Sequence, residues 1–164
     1  MKIFMSSITD NHSIEVWRLD RCPVTGMPIT RKPHWVLTCP ETGQTLLIIS
    51  KIGEQIIHTK IWVSNSSSGF DKFIDLLIRV FEEEFKRDEK HLILHDVSEH
   101  KSKLMKPRKK YLDFLNANSG SRLGQIFIAT SPIIRLVLNL TKTVLPTEHG
   151  TICFTTYSEA IKEC

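Results

Sequence analysis

A single change of rhythm governs what this chain can fold into. From Ile14 to about Val63, short β-rich runs alternate with Gly and Pro: IEVWRLD, HWVLTC, TLLIIS and QIIHTKIWV. Val, Ile, Trp and Thr suit a pleated, half-buried surface, and Pro23, Gly26, Pro28, Pro33, Pro40, Gly43 and Gly53 fall where a ladder must turn. KIGEQ, around Gly53, reads as a tight hairpin between the last two runs. Past NSSSG (65–69) the apolar period shifts from two to about 3.6, and Phe70, Phe73, Ile74, Leu77, Phe81 and Phe85 fall on one helical face. Ser68 with Asp71 marks that helix's N-cap.

From there the chain alternates. HLILHDV (91–97) is a short buried run, followed by a basic loop and a helix opened by Pro107, with Tyr111, Leu112, Phe114 and Leu115 on its apolar side. GQIFIAT (124–130) is the next strand, and Ser131–Pro132 an N-cap with Pro at the first helical position. TICFT (151–155) is the last strand, and Thr156 with Glu159 forms a capping box for YSEAIKEC. Counted from Gln55, four strand–helix steps follow one another, which implies right-handed crossovers. The expected class is α/β, with a mixed sheet, mostly parallel in its C-terminal part, helices packed on it, and N-terminal antiparallel strands. Residues 1–43 read as a β-rich extension and 44–164 as the α/β domain, together one compact unit. One expectation is that the last helix continues in a longer protein of which this chain is the N-terminal domain. A short docked terminal helix is the alternative.

Composition narrows the function classes. At 164 residues, 41% hydrophobic and 24% charged, the chain has enough apolar material for one sizeable core, which argues against disorder. No apolar run approaches the roughly 18 to 20 residues that span a bilayer. The start, MKIFMSSITDN, turns polar too soon for a secretory signal, so a cytoplasmic location is expected. A net charge of +4 is too small to imply nucleic acid. The charge is uneven, however. Residues 69–90 carry seven acidic and five basic side chains, whereas 91–110 carry six basic and two acidic. Four scattered cysteines read as free thiols.

The series LILHDVS, loop EHKSKLMKP, helix RKKYLDFLN, then FIATSPIIRLVLNL and TICFTTYSEAIKEC, resembles the STAS domains of anti-sigma-factor antagonists and the wider STAS/SEC14-like group. In that group a strand ending in Asp-aliphatic-Ser, here Asp96-Val97-Ser98, leads into a loop and a helix. The likeness covers about residues 44–164. It implies a non-enzymatic regulatory or sensory domain of bacterial signal transduction that binds a protein partner. It is also compatible with the N-terminal part of a sensor kinase, or with a homodimer. The antagonists carry an Asp-Ser-Ser-Gly phosphoacceptor in this loop. Here Lys101-Ser102-Lys103-Leu104 stands there, with Ser102 kept and Lys103 in the acceptor's place.

Candidate partner- or ligand-binding residues are therefore Asp96, Ser98, Lys101, Ser102, Lys103, Arg108 and Ser131, at strand ends and a helix start where an anion could dock. A solvated loop is the plain alternative for the basic run, which also includes Lys106, Lys109 and Lys110. His95, Asp96, Ser98 and His100 have the residue types of acid–base chemistry, but His95 and Asp96 must point to opposite faces of one strand. No nucleophile elbow or HExxH occurs, and no catalytic residue or cofactor is assigned. Cys22-Pro-Val-Thr-Gly and Cys39-Pro-Glu-Thr-Gly repeat seventeen positions apart, each like half a zinc knuckle. With His34 and His58 they make a weak metal candidate beside the plainer reading of two similar turns. Trp17, Trp35 and Trp62 are expected to pack in the core. A small apolar-ligand or anion receptor, with Phe70, Phe73, Phe81 and Phe85 around a cavity, is the alternative function. A small hydrolase or transferase comes third.

Overall fold

The computed structural model describes residues 15–62, 67–99, 109–141 and 151–164. Strands β3 (Thr45–Ile52) and β4 (Ile56–Ile61) form an antiparallel hairpin around Gly53, whose φ of 59° lies in the left-handed region that glycine adopts at no steric cost. From β4 onward the chain crosses over and returns in parallel: β5 (His91–Asp96), β6 (Arg122–Ile128) and β7 (Thr151–Phe154) are laid down side by side in chain order. Two short strands, β1 (Ile29–Thr30) and β2 (Val36–Thr38), share the outer edge of β3 and pair antiparallel with it. The result is a mixed seven-stranded sheet, antiparallel at its N-terminal side and parallel in its C-terminal part.

Alternation along each strand sorts side chains onto two faces. One face presents Leu47, Ile49, Ile57 and Ile93 to helices α1 (Ser67–Glu84) and α2 (Lys109–Ala117). The apolar stripe of α1 behaves as its spacing requires. Phe73, Ile74, Leu77 and Phe81 are buried against the sheet, with Phe70 and Phe85 half-buried beside them. The helix begins at Ser67, so Ser68 lies within its first turn rather than at the cap. The opposite face, with Ile52, Ile56, Leu94, Ile126 and Ile128, is covered by Val16, Cys22 and Ile29 and by helix α4 (Tyr157–Lys162). Each fully buried side chain of this size contributes roughly 1.5–3 kcal/mol. Helix α3 (Pro132–Thr141) packs on β7 and is entered as its sequence indicates, Ser131 Oγ accepting from the Ile134 N–H at 3.5 Å. Thr156 Oγ1 likewise caps α4 through the Glu159 N–H.

Two β-rich runs depart from expectation. The described part of IEVWRLD, Glu15 to Asp20, forms no strand; Val16–Arg18 is a 3-10 turn. The outer edge of β3 is taken by β1 and β2, and the segment meets β1 only at its end, where the Ile29 N–H donates to the Asp20 carbonyl at 2.9 Å. Instead Val16 sinks into the second face while the Arg31 guanidinium donates to the Leu19 carbonyl at 2.6 Å and pairs with Asp20 at 3.0 Å. HWVLTC is a strand only over Val36–Thr38. Pro33 opens a second 3-10 turn that drives Trp35 fully into the core, its Nε1 donating to Glu83 at 3.0 Å. Among the described residues no helix is long and apolar enough to cross a membrane.

Candidate functional site

The site grows from the carboxyl ends of β4 and β5, whose register sets Lys60 opposite Asp96 on the face covered by the N-terminal segment. Lys60 is completely buried, which is costly for a cation unless it is paired. Its ammonium lies 3.2 Å from Asp96 Oδ2 and donates to Ser98 Oγ at 3.0 Å. Ser98 in turn donates to Asp96 Oδ1 through Oγ at 2.5 Å and through its backbone N–H at 3.0 Å. The indole rings of Trp17 and Trp62 meet edge to face, 5.0 Å apart, and both face the ammonium, at 5.1 and 5.8 Å. Glu99 adds a more distant carboxylate at 3.9 Å.

A serine and a lysine at hydrogen-bond distance suggest a nucleophile and its base. The surroundings point the other way. A carboxylate and two aromatic faces all favour a cation at Nζ, so the ammonium donates to Ser98 Oγ instead of taking its proton. The three side chains therefore close on one another. Above them, Thr130 Oγ1 donates to the Ser98 carbonyl at 2.9 Å and the Val97 N–H to the Ile128 carbonyl at 2.9 Å, tying the end of β5 to that of β6.

His95 points to the other face, as strand alternation requires, and is bonded at both ring nitrogens. Thr59 Oγ1 lies 2.7 Å from Nδ1, Tyr111 OH lies 3.1 Å from Nε2, and Tyr111 donates to Gln125 Oε1 at 2.8 Å. With the tyrosine proton given to Gln125, the Tyr111 oxygen accepts from Nε2–H, and Nδ1 accepts from Thr59. Burial pushes the His95 pKa down to about 3, helped by His58 and Arg122, and pushes that of Tyr111 up. This buried chain knits β4, β5, β6 and α2, and both nitrogens of its histidine are engaged.

His58 is the contrast. It is fully buried beside its β3 register partner Ser50; both its ring nitrogens and Ser50 Oγ lack a hydrogen-bond partner among the described residues. Burial lowers its pKa to about 4, with Asp96 pulling up and Lys60 pushing down. Its ring meets Tyr157 edge-on at 5.9 Å.

The structure brings Asp96 and Ser98 together as the sequence places them, and sets Ser131 at the end of the neighbouring strand, where its hydroxyl caps α3. Lys101, Ser102, Lys103 and Arg108 lie outside the described residues, as do His100, Lys106 and Pro107. At the described end of the basic run, Lys109 pairs with Asp113 at 2.7 Å and Lys110 with Asp75 of α1. The parallel strands run in chain order, so no two neighbours send their crossovers in opposite directions. The crevice that a doubly wound sheet opens at such a reversal does not arise among them.

The twin CPxTG segments are the same turn built twice. In each, the Gly N–H donates to the Cys carbonyl at 2.8 Å and the Cys N–H to the carbonyl of the residue after Gly at 2.8 Å. Gly26 and Gly43 have φ of 72° and 70°, and Thr25 and Thr42 Oγ1 each accept from the N–H two residues on at 3.3 Å. The weak metal candidates are not brought together. Cys22 is buried with its Sγ 3.2 Å from Tyr157 OH, Cys39 bonds Glu41, and His34 Nε2 bonds Glu83 at 2.9 Å. Among the described residues no three His, Cys, Asp or Glu side chains are placed to hold a metal ion.

Lys60 is the residue that sequence reasoning missed. Its signal was the pair His58 and Lys60 at i and i+2 within QIIHTKIWV, two polar residues on one face of a largely apolar strand. Trp35 packs in the core as expected, whereas Trp17 and Trp62 are half-buried around a cation. In comparisons with protein-family models, curated proteins and solved structures, nothing matches this chain.

Proposed function

We propose that this chain is a non-enzymatic regulatory domain of the STAS-like kind, cytoplasmic, which recognises a protein partner in bacterial signal transduction through the rim formed by Asp96, Ser98 and the basic stretch that follows. What supports recognition over chemistry is the closed network at the end of β5, in which the acid, the hydroxyl and the ammonium engage one another. The network anchors the end of β5, the described residues that the basic stretch follows in sequence. Lys101, Lys103 and Arg108 supply charge for an acidic surface on the partner, and Ser102 a hydroxyl beside them.

A photo-crosslinking side chain at position 103, placed in the chain in its native cells, tests this reading. One discrete cross-linked protein is expected, lost when Lys101→Glu and Arg108→Glu are combined. Absence of any cross-linked protein, or a cross-link indifferent to both charge reversals, overturns it.

A further inference from the structure

The segment Glu15–Met27 lies over the second face of the sheet without belonging to it. Among the described residues its backbone makes one hydrogen bond to backbone beyond it, accepted by the Asp20 carbonyl from the Ile29 N–H at 2.9 Å. The rest of its hold comes from side chains. The Arg31 guanidinium gathers three groups of the segment at once, donating to the Asp20 carboxylate at 3.0 Å and to the carbonyls of Leu19 at 2.6 Å and Val16 at 3.4 Å. Val16 and Cys22 are buried on the face, Cys22 Sγ lies 3.2 Å from Tyr157 OH, and Trp17 stands over Lys60.

What lies beneath is poorly satisfied. Ile56, His58 and Lys60 share this face by strand alternation, and the β3 register sets Ile52 opposite Ile56 and Ser50 opposite His58. Ile52 and Ile56 pack with Val16, Cys22 and Ile29, while Lys60 meets Trp17. Ser50 and His58 sit between these two points of cover, fully buried, and Ser50 Oγ and both His58 ring nitrogens have no partner among the described residues. An unsatisfied buried polar atom penalises the state that buries it, and water removes the penalty in a state that does not. The closed segment therefore seals in a cost that its opening relieves.

We propose that Glu15–Met27 is a strap that swings off the sheet as one piece while the strands stay paired, with Arg31 as its latch. Opening wets Ser50 and His58, takes Trp17 off Lys60 and uncovers the Lys60–Asp96 pair; closing restores a dry ion pair. The motion belongs to the fold itself and does not depend on what binds the rim.

Cys22, only 2% exposed, reports the motion. The full chain is treated with N-ethylmaleimide slowly enough that closing outruns labelling, and modification at position 22 is read by peptide mass spectrometry. Amide exchange of Ile93, buried in β5, gives the global reference. Labelling should respond to urea with roughly half the slope of Ile93 exchange or less, since a strap exposes far less surface than the whole chain. Arg31→Met should speed labelling roughly tenfold or more, the worth of one or more hydrogen bonds. Ser50→Ala should slow it roughly tenfold, because the closed state no longer hides a hydroxyl. Ile74→Val, on the other face, should speed Ile93 exchange roughly fivefold and leave Cys22 labelling where it was. Labelling that follows Ile93 exchange in urea or in Ile74→Val, or that fails to rise in Arg31→Met or to fall in Ser50→Ala, overturns the proposal.

Discussion

Lys60 and Asp96 face each other across β4 and β5 with 3.2 Å between Nζ and Oδ2, and the lysine side chain is wholly buried. A buried ion pair gains little over an apolar pair of the same volume, but breaking it strands a charge. Lys60→Met should therefore cost about 3–5 kcal/mol, and Asp96→Asn a similar amount. The double variant Lys60→Met/Asp96→Leu should recover much of that loss. Urea unfolding of all three, compared with the unmodified chain, measures the coupling; additive losses would show that the pair is not a unit.

Acid should destabilise the fold through its histidines. His58 and His95 have pKa values depressed by burial to about 4 and about 3, against an ordinary 6.5. The unfolded chain therefore binds more protons than the folded one between about pH 6.5 and pH 3–4. Stability is full above that window and falls as pH drops through it, by about 1.4 kcal/mol per pH unit for each histidine. Guanidinium unfolding at a series of pH values should show this slope, and His58→Gln should reduce it.

Tyr111→Phe keeps the ring and removes the hydroxyl that His95 Nε2 and Gln125 Oε1 share. Two buried polar groups then lose their partner, at about 1–3 kcal/mol each. Thermal unfolding should show the loss. The His95 ring-nitrogen signals should change at the same time, which separates this effect from a simple packing defect.

Gly43 and Gly53 both have positive φ, yet a β-carbon would meet nothing at Gly43 and would lie 2.9 Å from Met27 Sδ at Gly53. Gly43→Ala should cost about 1 kcal/mol for the backbone alone. Gly53→Ala should cost more, and the excess should disappear in a Met27→Ala background. Chemical denaturation of Gly43→Ala, Gly53→Ala, Met27→Ala and the Met27→Ala/Gly53→Ala double variant, each against the unmodified chain, decides this.

Much of the architecture is legible in the chain because it is written in local periodicity. The stripe from Phe70 to Phe85 and the caps at Ser131 and Thr156 are each settled within one short stretch of chain. The CPxTG repeat is legible for the same reason, since Thr and Gly fix a turn with no help from elsewhere. What escapes is decided by distant neighbours. Trp17 sits in a run with good strand propensity, but the edge it would join is filled by β1 and β2, so the run coils and delivers its indole to Lys60. The lysine was hidden for a related reason. A cation in a strand reads as solvent-facing until its register partner is known, and here that partner is an aspartate 36 positions away.

The indole at position 17 and the hydroxyl at position 98 both engage one ammonium. A tug on the strand end that leads into residues 100–108 would therefore be felt at once by a tryptophan near the start of the chain. Its emission is a built-in gauge of whether that end of the sheet has been grasped.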